Sequence, residues 1–201
     1  MMFKVILFML AFAIVHSWLA GKNIKQTIRL RIGERAYHGF FRLGYNMLAV
    51  LTLAPAFLIA VLNGGQVIWH VEGFAAFVLL GVQIVGVVGV LASLVQIDTW
   101  RFAGIRQAQA YISDGQLPLT DEPLQLKGVY GLVRHPLYLF SLMAIWPLAT
   151  MNEGLLAFNI GATLYFIFGS LLEERRLTAA YGDVYRNYQE SVPWLIPHIH
   201  H

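Results

Sequence analysis

Long apolar runs alternate with short polar connections along this chain. The runs cover about residues 2–20, 43–62, 74–97, 136–151 and 154–172. A helix that crosses a bilayer needs about 20 mostly apolar residues, and uncharged runs of this kind favour spanning helices. The pattern therefore predicts an all-α, polytopic membrane protein with about five transmembrane helices. Because only Asn152 and Glu153 separate the last two runs, we expect those two spans to form a tight helical hairpin.

The first run has a second interpretation, as a cleaved signal peptide. Ala11-Phe12-Ala13 loosely resembles a signal-peptidase cleavage site. The apolar run continues past this site, however, and Lys4 is the one positive charge that precedes it. Both features favour a retained span.

The overall composition agrees with a membrane protein. The chain has 201 residues, of which 58% are hydrophobic and 12% are charged, whereas soluble domains have about 25% charged residues. This excludes a disordered region, an ordinary soluble enzyme and a disulfide scaffold. The absence of cysteine excludes thiolate nucleophiles, cysteine-ligated zinc and iron–sulfur clusters. We expect residues 1–201 to form a single membrane-embedded domain, with a juxtamembrane tail over 173–201.

Basic residues are concentrated in alternate connections. Segment 21–42 holds six lysines and arginines, segment 98–135 holds four and the tail from residue 173 holds three, so 13 of 14 share one side if five spans alternate. Lysine and arginine accumulate on the cytoplasmic side of membrane proteins. The count predicts an amino terminus outside, a carboxyl terminus in the cytoplasm, and a cytoplasmic cap formed by 98–135.

The sharpest cluster of chemically capable residues is Arg134-His135-Pro136, preceded by Gly128 and Gly131. Proline is well suited to the first turn of a helix, which puts the arginine and the histidine at a helix amino end. That position suits a carboxylate or a phosphate. A structural interpretation stays open, in which the arginine reaches lipid headgroups and the histidine only caps the helix.

A second cluster, Glu173-Glu174-Arg175-Arg176, ends the fifth run. Acidic residues at a helix carboxyl end oppose the helix dipole and are costly at a membrane boundary. Either the adjacent arginines compensate them, or one glutamate faces a ligand's ammonium or hydroxyl groups.

Three tyrosines follow at helical spacing, Tyr181, Tyr185 and Tyr188, ahead of Val192-Pro193-Trp194. Such a stripe beside a span is usually an anchor at the membrane interface, and we favour that interpretation for the stripe as a whole. The alternative is an aromatic lid over a flat heterocycle or a sulfonium cation.

Taken together, the motifs of residues 127–197 resemble the carboxyl-terminal signature of integral membrane methyltransferases, a group that includes isoprenylcysteine carboxyl methyltransferase and the phospholipid N-methyltransferases. The resemblance implies S-adenosylmethionine as methyl donor, bound at the cytoplasmic ends of the last two spans. It assigns nine residues to the donor site: Tyr130, Arg134, His135, Pro136, Tyr138, Glu173, Glu174, Tyr185 and Tyr188.

The amino-terminal part is similar to bacterial methanethiol S-methyltransferases and to NnrU-type membrane proteins. The matching residues are His16-Ser17, Lys25, Glu34-Arg35-x-Tyr37, Phe102-x-Gly104-x-Arg106-Gln107, Trp146-Pro147, Thr150 and Gly154. This likeness implies a bacterial inner membrane and a small or lipophilic acceptor: a thiol, a prenylcysteine carboxylate or a phospholipid amine. Arg35, Arg106 and Arg175 are candidates to hold an anionic acceptor, and Arg106 and Arg175 are the catalytic candidates.

Two other functions stay open. One is an NnrU-type haem-binding or isomerase-like protein with His16 or His38 as iron ligand, and the other is a non-catalytic membrane scaffold. We expect no metal site, and we interpret the closing histidines, His198, His200 and His201, as a terminal tail. The expected partners are the lipid bilayer and a methyl acceptor, without nucleic acid.

Overall fold

The structure is a computed structural model that describes residues 2–120 and 122–197. Within these residues the chain forms nine α-helices and two short β-strands. Four helices are long and apolar enough to cross a membrane: α1 (Met2–Ala20), α3 (Glu34–Leu62), α4 (Gly73–Val95) and α8 (Glu153–Tyr181). A fifth apolar helix, α7 (Pro136–Ile145), is shorter. The predicted all-α, polytopic membrane fold is confirmed. The three closing histidines, His198, His200 and His201, lie outside the described residues.

Two of the long helices extend beyond their apolar runs. Helix α3 begins at Glu34, ahead of the predicted start at residue 43, and α8 continues to Tyr181, beyond the predicted end at residue 172. The apolar window marks the part of a helix that matches the bilayer, whereas the helical backbone continues wherever amphipathic residues still pack. Tyr37 and Gly39, for example, are buried on the first turns of α3.

The predicted two-residue connection between the last two helices is wrong. Helix α7 ends at Ile145, and Thr150–Asn152 forms strand β2 instead. Pro147 explains the early end, because a proline has no N–H to continue the helical hydrogen bonds and its ring clashes with the carbonyl four residues earlier. Trp146, directly before it, still has helical backbone angles. Strand β2 pairs antiparallel with β1 (Val67–His70), with an irregularity in register between Val67 and Trp69.

The chain divides into two compact units, and the first comprises residues up to 65 together with 98–123. It contains α1, α2 (Lys22–Ile32), α3, α5 (Thr99–Ala103) and α6 (Ile105–Ile112). Helix α1 buries Val5, Met9 and Phe12, which recur at the spacing of one helix face.

Helix α3 binds the connection between α5 and α6 inside this first unit. Arg42 Nε and Asn46 Nδ2 each donate to the carbonyl of Phe102 at 2.9 Å. Gly104 follows with φ +93°, and a Cβ there would collide with the backbone of Leu43. The first part of the predicted 98–135 cap is therefore a helical pair fixed to α3.

The second unit comprises residues 66–97 and the chain from 124. It contains β1, α4, a 3₁₀ turn (Gly128–Gly131), α7, β2, α8 and α9 (Asp183–Ser191). Helices α4 and α7 approach closely because α4 has Gly86 where a Cβ would lie 2.5 Å from the backbone nitrogen of Ala144. The end of α7 is fixed to α8 by Asn159 Nδ2, which donates to the carbonyl of Ile145 at 2.7 Å.

Candidate active site at the start of helix α7

The backbone directly before α7 is held by the end of the chain. The amide of Arg134 donates to the carbonyl of Pro193 at 2.9 Å, and the amide of His135 donates to the carbonyl of Trp194 at 3.2 Å. Pro136, which is buried, then begins the helix as the sequence predicts. The residues after α9, which we call the 192–197 segment, therefore form one wall of the site.

The side chain of Arg134 is engaged within the protein. Its Nε lies 2.6 Å from Glu174 Oε1, and its Nη1 donates to the carbonyls of Gln189 at 3.0 Å and Val192 at 2.6 Å. These contacts join the loop before α7 to α8, α9 and the 192–197 segment. The arginine fork that the sequence assigns to a ligand thus has a positioning role in this structure, and its direct contact with a ligand stays a prediction.

The two adjacent glutamates have different environments. Glu174 accepts from Arg134 and from Gln189 Nε2 at 3.0 Å, and its side chain is 14% exposed. The Glu173 side chain is 47% exposed, and its Oε2 accepts from the hydroxyl of Tyr138 at 2.9 Å. Neighbours on a helix point about 100° apart, which separates an internal carboxylate from one that is open to a ligand.

His135 lies between these two carboxylates and is 5% exposed. Its Nε2 is 3.2 Å from Glu174 Oε1 and its Nδ1 is 3.6 Å from Glu173 Oε2, while its ring stacks on Tyr138 at 5.4 Å. Burial lowers the pKa of His135, and the two carboxylates only partly oppose this. The imidazole is therefore neutral at pH 7.

Two tyrosines of α9 point into the site region. Tyr185 is 1% exposed and Tyr188 is 6% exposed, so the interpretation of the stripe as an interface anchor is wrong for both. The hydroxyl of Tyr188 donates to the carbonyl of Tyr130 at 2.5 Å. Burial raises the pKa of Tyr130 and of Tyr188 to about 12, so both phenols stay protonated even in alkaline solution.

Trp194 is a site residue to which the sequence assigned no role. Its carbonyl accepts from His135, but its indole Nε1 is buried and has no hydrogen-bond acceptor among the residues that the structure describes. A buried donor without an acceptor costs free energy. A ligand oxygen or nitrogen that contacted this indole N–H would satisfy it. Gln189 was also missed, because a glutamine on a polar helix carries no distinguishing signal.

The arginines predicted to hold the acceptor belong to different units of the chain. Arg106 belongs to the first unit, where its Nε is 2.5 Å from Asp98 Oδ2 and it lines a surface cavity of about 270 Å³. Arg35 is paired with Asp114 at 2.6 Å in the same unit. Arg175 is exposed on α8, directly after Glu174. Their roles stay predictions.

The histidines of the haem alternative make contacts within the first unit. His16 packs on Tyr45 with ring centroids 4.0 Å apart, and His38 Nε2 lies 3.2 Å from Glu34 Oε2. Across residues 2–120 and 122–197, no group of three or more histidine, aspartate or glutamate side chains is arranged to hold a metal ion.

Comparison with known proteins gives one family. Residues 74–184 match the phospholipid methyltransferase family. Methanethiol S-methyltransferase 2 of Bradyrhizobium diazoefficiens is 33% identical over 66% of this chain and 50% of its own length, and methanethiol S-methyltransferase of Mycobacterium tuberculosis is 38% identical over 67% and 54%. The enzyme of that name from Pseudomonas sp. strain GM41(2012) is 31% identical over 92% of this chain and 69% of its own. The chain thus spans about half the length of the first two relatives. No solved structure matches it.

Proposed function

We propose, because this chain belongs to the phospholipid methyltransferase family, that it transfers a methyl group from S-adenosylmethionine to a small or lipophilic acceptor at the cytoplasmic face of the membrane. Its relatives are named methanethiol S-methyltransferases, which supports a thiol as the first acceptor to test. A prenylcysteine carboxylate and a phospholipid amine are the other two acceptor classes.

The observation that carries this proposal is the difference between Glu173 and Glu174. Arg134 neutralises Glu174 internally at 2.6 Å, whereas Glu173 is half-exposed and oriented by Tyr138. The donor carries an ammonium and two ribose hydroxyls, which are groups that a carboxylate accepts from. Trp194 Nε1 adds a buried hydrogen-bond donor that has no acceptor among the residues that the structure describes. The residues present therefore fit the polar groups of S-adenosylmethionine.

S-adenosylmethionine supplies a methyl group on a positively charged sulfur when it is bound. The chain's own residues then have to orient both reactants and exclude water, because displacement at a methyl group depends on alignment more than on acid–base catalysis. Arg134 does this indirectly, by holding the 192–197 segment against the loop before α7. Glu173 binds the ammonium or the ribose hydroxyls of the methyl donor, and the hydroxyl of Tyr138 fixes the direction of that carboxylate.

Transfer of labelled methyl from S-adenosylmethionine tests the proposal. The purified full chain is incubated with methanethiol, a prenylcysteine analogue and phosphatidylethanolamine, beside Glu173→Gln and the exposed control Glu190→Gln. We expect one acceptor class to be labelled, with loss of activity in Glu173→Gln and retention in Glu190→Gln. Folded protein that labels none of the three classes and binds no S-adenosylhomocysteine would contradict the proposal.

A further inference from the structure

Helix α2 lies between two candidate spans. It begins at Lys22, two residues after α1 ends at Ala20, and it ends at Ile32, two residues before α3 begins at Glu34. Both neighbouring helices are long and apolar enough to cross a membrane. Because α1 and α3 are candidate spans, we expect the short helix that connects them to lie near the lipid headgroups.

This helix and the turn after it carry a large excess of positive charge. Residues 22–35 contain five lysines and arginines, of which Arg35 is paired with Asp114, against a single acid, Glu34. Glu34 lies 3.4 Å from Arg29 Nε and so neutralises one cation at most. A net excess of cations at headgroup depth is complementary to phosphate groups.

Two of these cations are held in place by aromatic rings of α3. Lys25 Nζ lies 5.8 Å from the ring centroid of Phe41, and Arg29 Cζ lies 4.8 Å from that of Tyr37. The Arg29 side chain stays 41% exposed beside its ring, although its Nε is buried. Side chains that are already ordered lose less conformational entropy when they bind.

The exposed side chains of α2 include both unpaired charges and apolar groups. Lys22 and Arg31 are exposed and make no ion pair with any residue that the structure describes. Leu30 is 78% exposed and Ile32 is 49% exposed. An exposed leucine beside exposed cations is the pattern of a helix that lies in the membrane interface, with its apolar side chain towards the acyl chains.

We propose that α2 binds the headgroups of anionic phospholipids, with Lys22 and Arg31 on the phosphates and Leu30 inserted among the first acyl carbons. The occupant is a lipid surface, because the helix connects two candidate spans and offers an apolar side chain that a free anion does not use. The binding is separate from methyl transfer, since it uses none of the residues around Glu173.

Retention of lipid by purified protein tests this directly. The full chain in uncharged detergent is mixed with phosphatidylglycerol or phosphatidylcholine, and bound lipid is counted by native mass spectrometry. Lys22→Gln with Arg31→Gln should reduce phosphatidylglycerol retention by about thirtyfold and leave phosphatidylcholine retention unchanged. The matched control, Lys4→Gln with Lys127→Gln, removes the same charge elsewhere and should retain lipid like the parent.

Three results would overturn the proposal: equal retention of both lipids by the parent, equal retention by both double variants, or competition by inorganic phosphate as strong as by phosphatidylglycerol. The last result would indicate a site for a free anion.

A second measurement keeps all basic residues in place, in case the double variant does not fold. The chain has no cysteine, so Leu30→Cys is a unique site for an environment-sensitive fluorophore. In nanodiscs of phosphatidylglycerol its emission should shift to the blue relative to phosphatidylcholine, and this shift should weaken in high salt. The same label at Phe74→Cys, 82% exposed and distant in sequence from basic residues, should not respond. Identical spectra for Leu30→Cys in both lipids would refute the lipid-binding proposal.

Discussion

Arg134 and Glu174 form a largely buried ion pair between chain positions 40 residues apart, with Nε and Oε1 separated by 2.6 Å. The pair joins the loop before α7 to α8, and through Arg134 Nη1 it also holds the carbonyls at the end of α9. The pair therefore positions the elements around the site, and its charged groups contact other parts of the protein.

Arg134→Ala should destabilise the protein by about 3 kcal/mol, because it leaves Glu174 partly buried without its cation. Arg134→Lys should restore only part of the loss, since an ammonium keeps the charge but not the fork. Thermal unfolding in detergent measures both. Arg186→Ala is the control: it breaks an exposed pair with Asp183 and should cost less than 1 kcal/mol. Equal stability of Arg134→Ala and Arg186→Ala would contradict the positioning role.

Glu173→Gln and Glu174→Gln should separate binding from stability. Glu173→Gln should weaken binding of S-adenosylhomocysteine by roughly tenfold to a hundredfold, the value of a charge-assisted hydrogen bond, with little effect on unfolding. Glu174→Gln should lower the unfolding temperature, because Arg134 loses its counter-ion. Calorimetry and thermal unfolding on the same samples check both, and the opposite pattern would reverse the assignment of the two glutamates.

Trp194→Phe should weaken binding of S-adenosylhomocysteine by about three- to tenfold without lowering stability, because the indole N–H has no acceptor to lose. Trp146→Phe is the matched control, since its Nε1 donates to Thr163 Oγ1 at 2.9 Å. That variant should lose about 1 kcal/mol of stability and keep its affinity. If Trp194→Phe binds like the parent, the indole N–H does not contact the ligand.

Acid should destabilise the protein through His135. Its pKa is lowered by burial in the folded state, so the unfolded chain binds the proton more readily, and the free energy of unfolding rises with pH. The loss appears as the pH falls below the ordinary histidine value of about 6.5. Unfolding temperatures between about pH 5 and 7.5 should show a shallower slope for His135→Gln. An unchanged slope would assign the effect to other groups.

Topology is open to a direct test. Because 13 of 14 basic residues share one side if five spans alternate, reporter fusions at residue 115 and after residue 197 should be cytoplasmic, and one at residue 68, in β1, should be outside. A cytoplasmic reporter at residue 68 would contradict the five-span arrangement, including a crossing by the short helix α7.

The apolar runs predicted the helices because the residues of a candidate span are consecutive in the sequence. Helix α1, which matches the predicted run 2–20, illustrates this. The contacts of the site were harder to predict from the sequence. The partners of Arg134 include backbone carbonyls 55 and 58 residues away, and no residue-type pattern identifies a carbonyl.

The same limit applies to strand β2 and to α9. Strand β2 depends on a partner strand about 80 residues earlier, at His70, so the sequence around Thr150 alone reads as the end of a span. Tyr185 and Tyr188 have the same helical spacing whether they face lipid or the protein interior. Only tertiary packing distinguishes these two cases.

The backbone bonds from Arg134 and His135 to Pro193 and Trp194 also set an order of events during biosynthesis. Helices α7 and α8 are complete in the nascent chain before these two carbonyls exist, so both helices are made while the site still lacks this wall. Chain elongation at about 5–20 residues per second reaches Trp194 some seconds after α7 has been made. The wall that the 192–197 segment gives to the site is therefore formed only after α7 and α8 have been synthesised, and a chain that stops before residue 193 would lack it.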